Sequence, residues 1–180
     1  MEEIDFEVSS PAIQVLASLA EEYGVKEYLY SKTLIKNRHF VVFIPPVAEG
    51  DVNSADNIYI DDDFVHYDNY DDDYDYDEDD AESYSPMSYT LRYGMSHIHF
   101  EAGTAEDECE RAARQTLQMV KDIIDGKVLS FHLKAESGLE VTGYTENKSE
   151  QELKEKFASY GKGCVRLCGW NNKSIKVIEI

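Results

Sequence analysis

Three places in this chain carry side chains whose types and spacing suit chemistry. The first is the run 61–84, DDDFVHYDNYDDDYDYDEDDAESY, which holds thirteen acids and six aromatics and no lysine or arginine. The second is His97, His99 and Glu101, an H-x-H-x-E pattern. The third is a set of three cysteines, Cys109, Cys164 and Cys168.

The chemistry of the acidic run is binding. Asp71, Asp73, Asp75, Asp77 and Asp79 alternate, Asp72 and Asp80 add to the charge, and Tyr74 and Tyr76 stand between them. In an extended chain, alternate residues share a face at about 6.7 Å spacing. Such a row of carboxylates suits lysine and arginine sites that normally hold phosphates. Tyr67, Tyr70, Tyr74 and Tyr76 suit positions where bases stack in single-strand grooves. The segment therefore reads first as a nucleic-acid mimic or an inhibitor of a basic protein. Solvating acidic tails lack aromatics, and tyrosine is favoured at interfaces.

Three other readings stand beside that one. Like charges repel, so the run also reads as a solvated loop without a fixed partner. From Asp71, acids fall at positions 1, 3, 5, 9 and 12 of a calcium loop (Asp71, Asp73, Asp75, Asp79, Glu82), but position 6 is Tyr76 where the sharp turn needs glycine. The fourth reading is docking in cis, on Lys154, Lys156, Lys162, Arg166, Lys173 and Lys176.

The H-x-H-x-E pattern points to a metal. On a strand, His97, His99 and Glu101 share one face, and Ile98 and Phe100 the other. Two imidazoles and a carboxylate suit zinc or non-haem iron. The same pattern equally describes the polar face of a half-buried strand. Cys109 lies on the apolar stripe of an acidic helix, a place for a buried thiol and not for a nucleophile. Cys164 has Lys162 and Arg166 nearby but no histidine close in sequence. Gly161-Lys162-Gly163 lacks P-loop spacing, and there is no G-x-S-x-G, H-E-x-x-H or C-x-x-C. Trp170, the single tryptophan, reads as a core plug.

Positioning these groups falls to one α+β domain over 1–180, with an acidic Asp/Tyr-rich insertion loop over 45–86. The length suffices to bury a core without disulfides or metals. The net charge is −20; outside the acidic run 24 acids meet 17 bases, while 146–180 carries five acids and seven bases. That balance disfavours direct contact with nucleic acid or anionic membrane and favours basic protein partners. The start, MEEIDFEV, shows no signal-peptide pattern, and no apolar run approaches the ~18 residues of a membrane span. Three cysteines without framework spacing fit reduced thiols, so the expected location is cytoplasmic.

Local signals place the elements. Ile4, Phe6 and Val8 suggest a strand. Ser10-Pro11 opens a helix with its stripe at Ile13, Leu16, Leu19, Ala20 and Tyr23, ended by Gly24. Strands follow over 28–35 and 38–44 around Lys36-Asn37, and Pro45-Pro46 stops the second. Ile58, Tyr59 and Ile60 allow one short strand inside the insertion. Tyr89 to Tyr93 and Ile98 to Phe100 alternate. Thr104, with Asp107 three residues on, caps the best helix, closed by Gly126. A hairpin spans 128–134 and 139–145. Ser149 and Glu152 form a capping box over a short helix with Glu150–Lys154 and Glu152–Lys156 pairs. A last hairpin joins 164–170 to 173–180 through Asn171-Asn172.

Helix–strand–strand thus occurs three times, which predicts an α+β fold with a largely antiparallel sheet built from hairpins and packed by about three helices. No motif identifies a family. The compact, acidic, motif-poor character resembles toxin-immunity and anti-defence proteins, which act by occupying a partner's site. The expected function is a non-enzymatic inhibitor of a basic partner, a nuclease toxin or a DNA- or RNA-binding enzyme. The expected site is the Asp71–Asp80 carboxylates with their tyrosines, and no cofactor is expected. The alternative is a metal-binding protein or metal-dependent enzyme built on His97, His99 and Glu101.

Overall fold

The stripe Cys109, Ala112, Ala113, Thr116, Leu117, Val120 and Ile123 is the longest apolar periodicity in the chain. In the computed structural model it is the buried face of a helix over Glu106–Ile124. The structure describes residues 11–34, 38–43, 57–62, 88–101, 106–170 and 175–180. In chain order the elements are α1 (Pro11–Leu19), β1 (Leu29–Leu34), β2 (Arg38–Phe43), β3 (Ile58–Asp62), β4 (Ser88–Tyr93), β5 (Ser96–Glu101), α2 (Glu106–Ile124), β6 (Val128–Ala135), β7 (Glu140–Glu146), α3 (Glu150–Phe157), β8 (Gly163–Cys168) and β9 (Ile175–Glu179). The expected strand at 4–8, the Lys36-Asn37 and Asn171-Asn172 turns and the Thr104 cap lie outside the described residues.

The α+β class and the antiparallel pairing hold, but the strands form two sheets. The first is a five-stranded meander in the order β1-β2-β3-β4-β5, and the second is four-stranded in the order β7-β6-β8-β9. α1 and α2 pack on one face of the meander, over Phe43, Ile58, Ile60, Tyr89, Leu91 and Tyr93, and Trp170 joins this core. Trp170 meets the Tyr28 ring edge-on at 5.1 Å, the plug its sequence position suggested. α3 covers the second sheet through Leu153 and Phe157, over Leu129, Leu133, Val165, Leu167 and Ile178.

The insertion holds the one short strand that its sequence allowed. Ile58, Tyr59 and Ile60 do form a strand, and it runs on through Asp61 and Asp62. β3 lies at the centre of the meander, paired with β2 on one side and β4 on the other. Ile58 and Ile60 are fully buried, so two aliphatics suffice to seat the strand once both neighbours supply ladder hydrogen bonds. The expected 45–86 loop is therefore two connections divided by a core strand.

Two helix ends follow from local chemistry. After α2, Lys127 N–H donates to Asp122 O at 2.8 Å and Gly126 N–H to Ile123 O at 3.0 Å, a Schellman stop. It needs the left-handed φ of 73° that Gly126 adopts. Before α3, Ser149 Oγ accepts from Glu152 N–H, and the Glu152 carboxylate accepts from Ser149 N–H at 3.1 Å. The expected Glu150–Lys154 pair is present at 2.9 Å. The expected Glu152–Lys156 pair is replaced: Glu152 serves the cap, and Lys156 Nζ donates to Thr145 Oγ1 at 2.8 Å. Ser149→Ala should therefore lower stability by about 1 kcal/mol, read as a shift in the denaturation midpoint at unchanged m-value.

One phenol joins the two sheets. Tyr144 on β7 donates to Ser96 O at 2.7 Å and accepts from Tyr93 N–H at 3.1 Å, at the turn between β4 and β5. At the same turn Gly94 lies so close to Ser130 of β6 that a Cβ would meet Ser130 Oγ at 2.8 Å. Burial pushes the Tyr144 hydroxyl from an ordinary 10.0 up to about 12. The unfolded phenol ionises first, so the stability linked to Tyr144 is complete below pH 10 and declines as pH rises from about 10 towards 12. Tyr144→Phe should remove that alkaline slope and cost about 1–3 kcal/mol at neutral pH, because the buried hydrogen bonds of the phenol to Tyr93 and Ser96 are lost. Urea titrations at pH 7, 10 and 11 would measure both effects.

Candidate functional site

The acidic segment is held at both ends by the meander. β3 ends at Asp62, β4 begins at Ser88, and Asp62 stands opposite Tyr89 in the antiparallel register. The connection 63–87 therefore leaves and re-enters the sheet on adjacent strands about 4.8 Å apart. Its re-entry point is firmly seated. Tyr89 is buried, donates from its hydroxyl to Ala12 O of α1 at 2.7 Å, and lies 3.4 Å from Cys109 Sγ of α2. Asp71, Asp72, Asp73, Asp75, Asp77, Asp79, Asp80, Tyr67, Tyr70, Tyr74 and Tyr76 all lie outside the described residues.

On β3, β4 and β5 the sheet face opposite α1 and α2 is polar. Antiparallel register aligns Tyr59, Arg92 and His97 in one row and Asp61, Thr90 and His99 in the next. His97, His99 and Glu101 are exposed on β5, and Ile98 and Phe100 are half-buried on its other side, the alternation their spacing implies. The two imidazoles meet edge to face with centroids 5.1 Å apart. His99 Nδ1 and the buried Thr90 Oγ1 are 2.8 Å apart. Arg92 Nε reaches Asp61 Oδ2 at 3.4 Å, a pair exposed enough to add little stability. Sequence reading missed Tyr59, Thr90 and Arg92, because only the pairing of strands far apart in the chain sets them beside the histidines.

Among the described residues no three His, Cys, Asp or Glu side chains converge to hold an ion. On a strand the α-carbons of His97 and Glu101 stand about 13 Å apart, so one ion could be shared only by side chains that turn towards each other. Arg92, directly across from His97, also sets a permanent positive charge against a cation.

The remaining candidates are dispersed. Cys109 is buried, as its helical stripe implied, while Cys164 is exposed and Cys168 half-buried; all three thiols are free. The basic third of the chain is largely engaged: Lys154 with Glu150, Lys156 with Thr145, and Lys176 with the Asn147 amide oxygen at 3.5 Å. A shallow groove of about 510 Å³ runs along α2 beside the turn that follows α1, lined by Tyr23, Glu110, Arg111, Arg114, Gln115 and Gln118. Its Arg114 is spoken for, forked between Glu22 at 2.7 Å and Glu110 at 2.8 Å, and these carboxylates hold the guanidinium still more firmly protonated. Among the described residues no helix is long and apolar enough to cross a membrane. No protein family, curated protein or solved structure matches this chain.

Proposed function

We propose that this protein is a non-enzymatic inhibitor that places its Asp/Tyr segment in a basic site of a protein partner, such as a nuclease or another nucleic-acid-binding protein. One observation carries the reading: thirteen acids and six aromatics, with no base, are concentrated in 61–84. The anchoring supports it. A connection tied to adjacent strands of a packed sheet is presented from a fixed base, so less of its freedom is lost on binding than for a free tail. The carboxylates of Asp71 to Asp80 supply steering and charge pairing, and the tyrosines supply contact area with few rotors. Nucleic acid and anionic membranes are repelled by the same field.

The test follows from the position of β3. Deletion must spare Asp61 and Asp62, which belong to the sheet. Replacing 64–87 by Asn-Gly gives the length of a two-residue hairpin loop between β3 and β4. Pull-down from lysate at low salt should recover basic proteins with the intact chain and none with the shortened one. Equal recovery by a folded shortened chain overturns the reading.

A further inference from the structure

We propose that the outer edge of β9 pairs antiparallel with the β9 edge of a second copy, joining two four-stranded sheets into one of eight strands. Among the described residues no strand pairs with that edge. The register shows which backbone groups face it. Gly163 and Ile180 exchange both hydrogen bonds at 3.0 Å, and alternation then directs 176 and 178 towards β8. The N–H and C=O groups of 175, 177 and 179 point away from the sheet.

Edges of this kind are templates for pairing, and proteins normally blunt them with proline, bulges or charge. β9 is five residues, Ile-Lys-Val-Ile-Glu, without proline. Its central outward-facing position is Val177, whose side chain is 66 % exposed on the face opposite α3. The neighbouring Lys176 is directed to Asn147 of its own chain.

A second copy is the occupant that both symmetry and charge favour. A two-fold axis through Val177 sets Val177 against its own copy, Ile175 against Glu179, and Lys176 against Ile178, so no like charges stand opposite each other. A register one pair away, centred on Lys176, would oppose two lysines. The net charge of −20 repels two copies, but 11 of the acids lie in the connection 63–87 between β3 and β4, in the other sheet. The stretch 146–180, which holds β9, carries five acids and seven bases, so the copies meet where repulsion is least. A contact one strand long is small, so the dimer is weak and concentration-dependent.

Sedimentation velocity under reducing conditions, from about 10 µM to about 1 mM protein, reads the association; screening the repulsion with salt should strengthen it. Hydrogen exchange supplies the geometry: amides 177 and 179 should slow as concentration rises, while 176 and 178 are slow throughout. Val177→Pro removes an outward-facing N–H and no intramolecular hydrogen bond, so it should fold and stay monomeric. Val177→Lys, at an exposed side chain, is the second variant and should weaken dimerisation about tenfold or more. A wild-type chain that is monomeric over the whole range overturns the proposal. So does a dimer that persists unweakened in either folded variant, or one that vanishes with reductant.

Discussion

Replacing Asp71, Asp72, Asp73, Asp75, Asp77, Asp79 and Asp80 with asparagine should reduce capture of a basic partner by about 10²-fold at low salt and leave the thermal midpoint in place. The substitutions take the net charge from −20 to −13 and remove the densest part of the field. Electrostatic steering accounts for about 10–10³ in association rate, so the loss should appear first in the on-rate. Added salt should weaken the wild-type interaction steeply and the substituted one little, because charges beyond a Debye length of about 8 Å are screened. Stability should not follow, since ionised aspartates are almost never part of a buried core and a run of like charges repels itself. Surface plasmon resonance at two ionic strengths, beside a melting curve, separates the outcomes. Unchanged on-rate and salt slope in a folded variant would remove the carboxylate row from the mechanism. Substituting Tyr67, Tyr70, Tyr74 and Tyr76 with serine tests the other half, and there the change should fall on the off-rate.

Leu91→Ala should have the opposite profile, with a large loss of stability. Leu91 is fully buried at the centre of β4, with Ile60 and Ile98 across from it on the flanking strands and α1 and α2 above the sheet. Truncation removes transfer energy and leaves a cavity that rigid neighbours fill only in part, a cost of about 2–5 kcal/mol. In a chain of this length that is a fall of about 10 °C in the melting temperature. β3 and β4 carry the ends of the acidic connection, so partner capture should decline on warming in step with the fraction unfolded. At a temperature where the variant is fully folded, capture should equal that of wild type. Weak capture by fully folded Leu91→Ala would mean that the core strands do more than hold the segment.

These two expectations rest on different kinds of information. The acidic run, the helices and the hairpins were readable along the chain because their causes are local. Periodic apolar residues, a Ser149–Glu152 cap, a glycine at a helix end and short turns each act over a few positions. The alternation of His97, His99 and Glu101 on one side of β5 is local in the same sense, since successive strand residues point to opposite faces.

β3 was hard to place for the opposite reason. Two isoleucines next to a long acidic run make a poor strand by propensity, and Asp61 and Asp62 count against it. What seats it is pairing on both sides, with β2 and with β4, across a connection too long for any local pattern to register. The split into two sheets, the Tyr144 joint between them and the outward edge of β9 have the same origin. Each depends on which residues meet from distant parts of the chain, and packing and backbone pairing across that distance settle it. Charge and periodicity belong to neighbours in sequence; the neighbours in space that turn a polar strand into a histidine–arginine face, or an insertion into two anchored connections, exist only once the chain has folded.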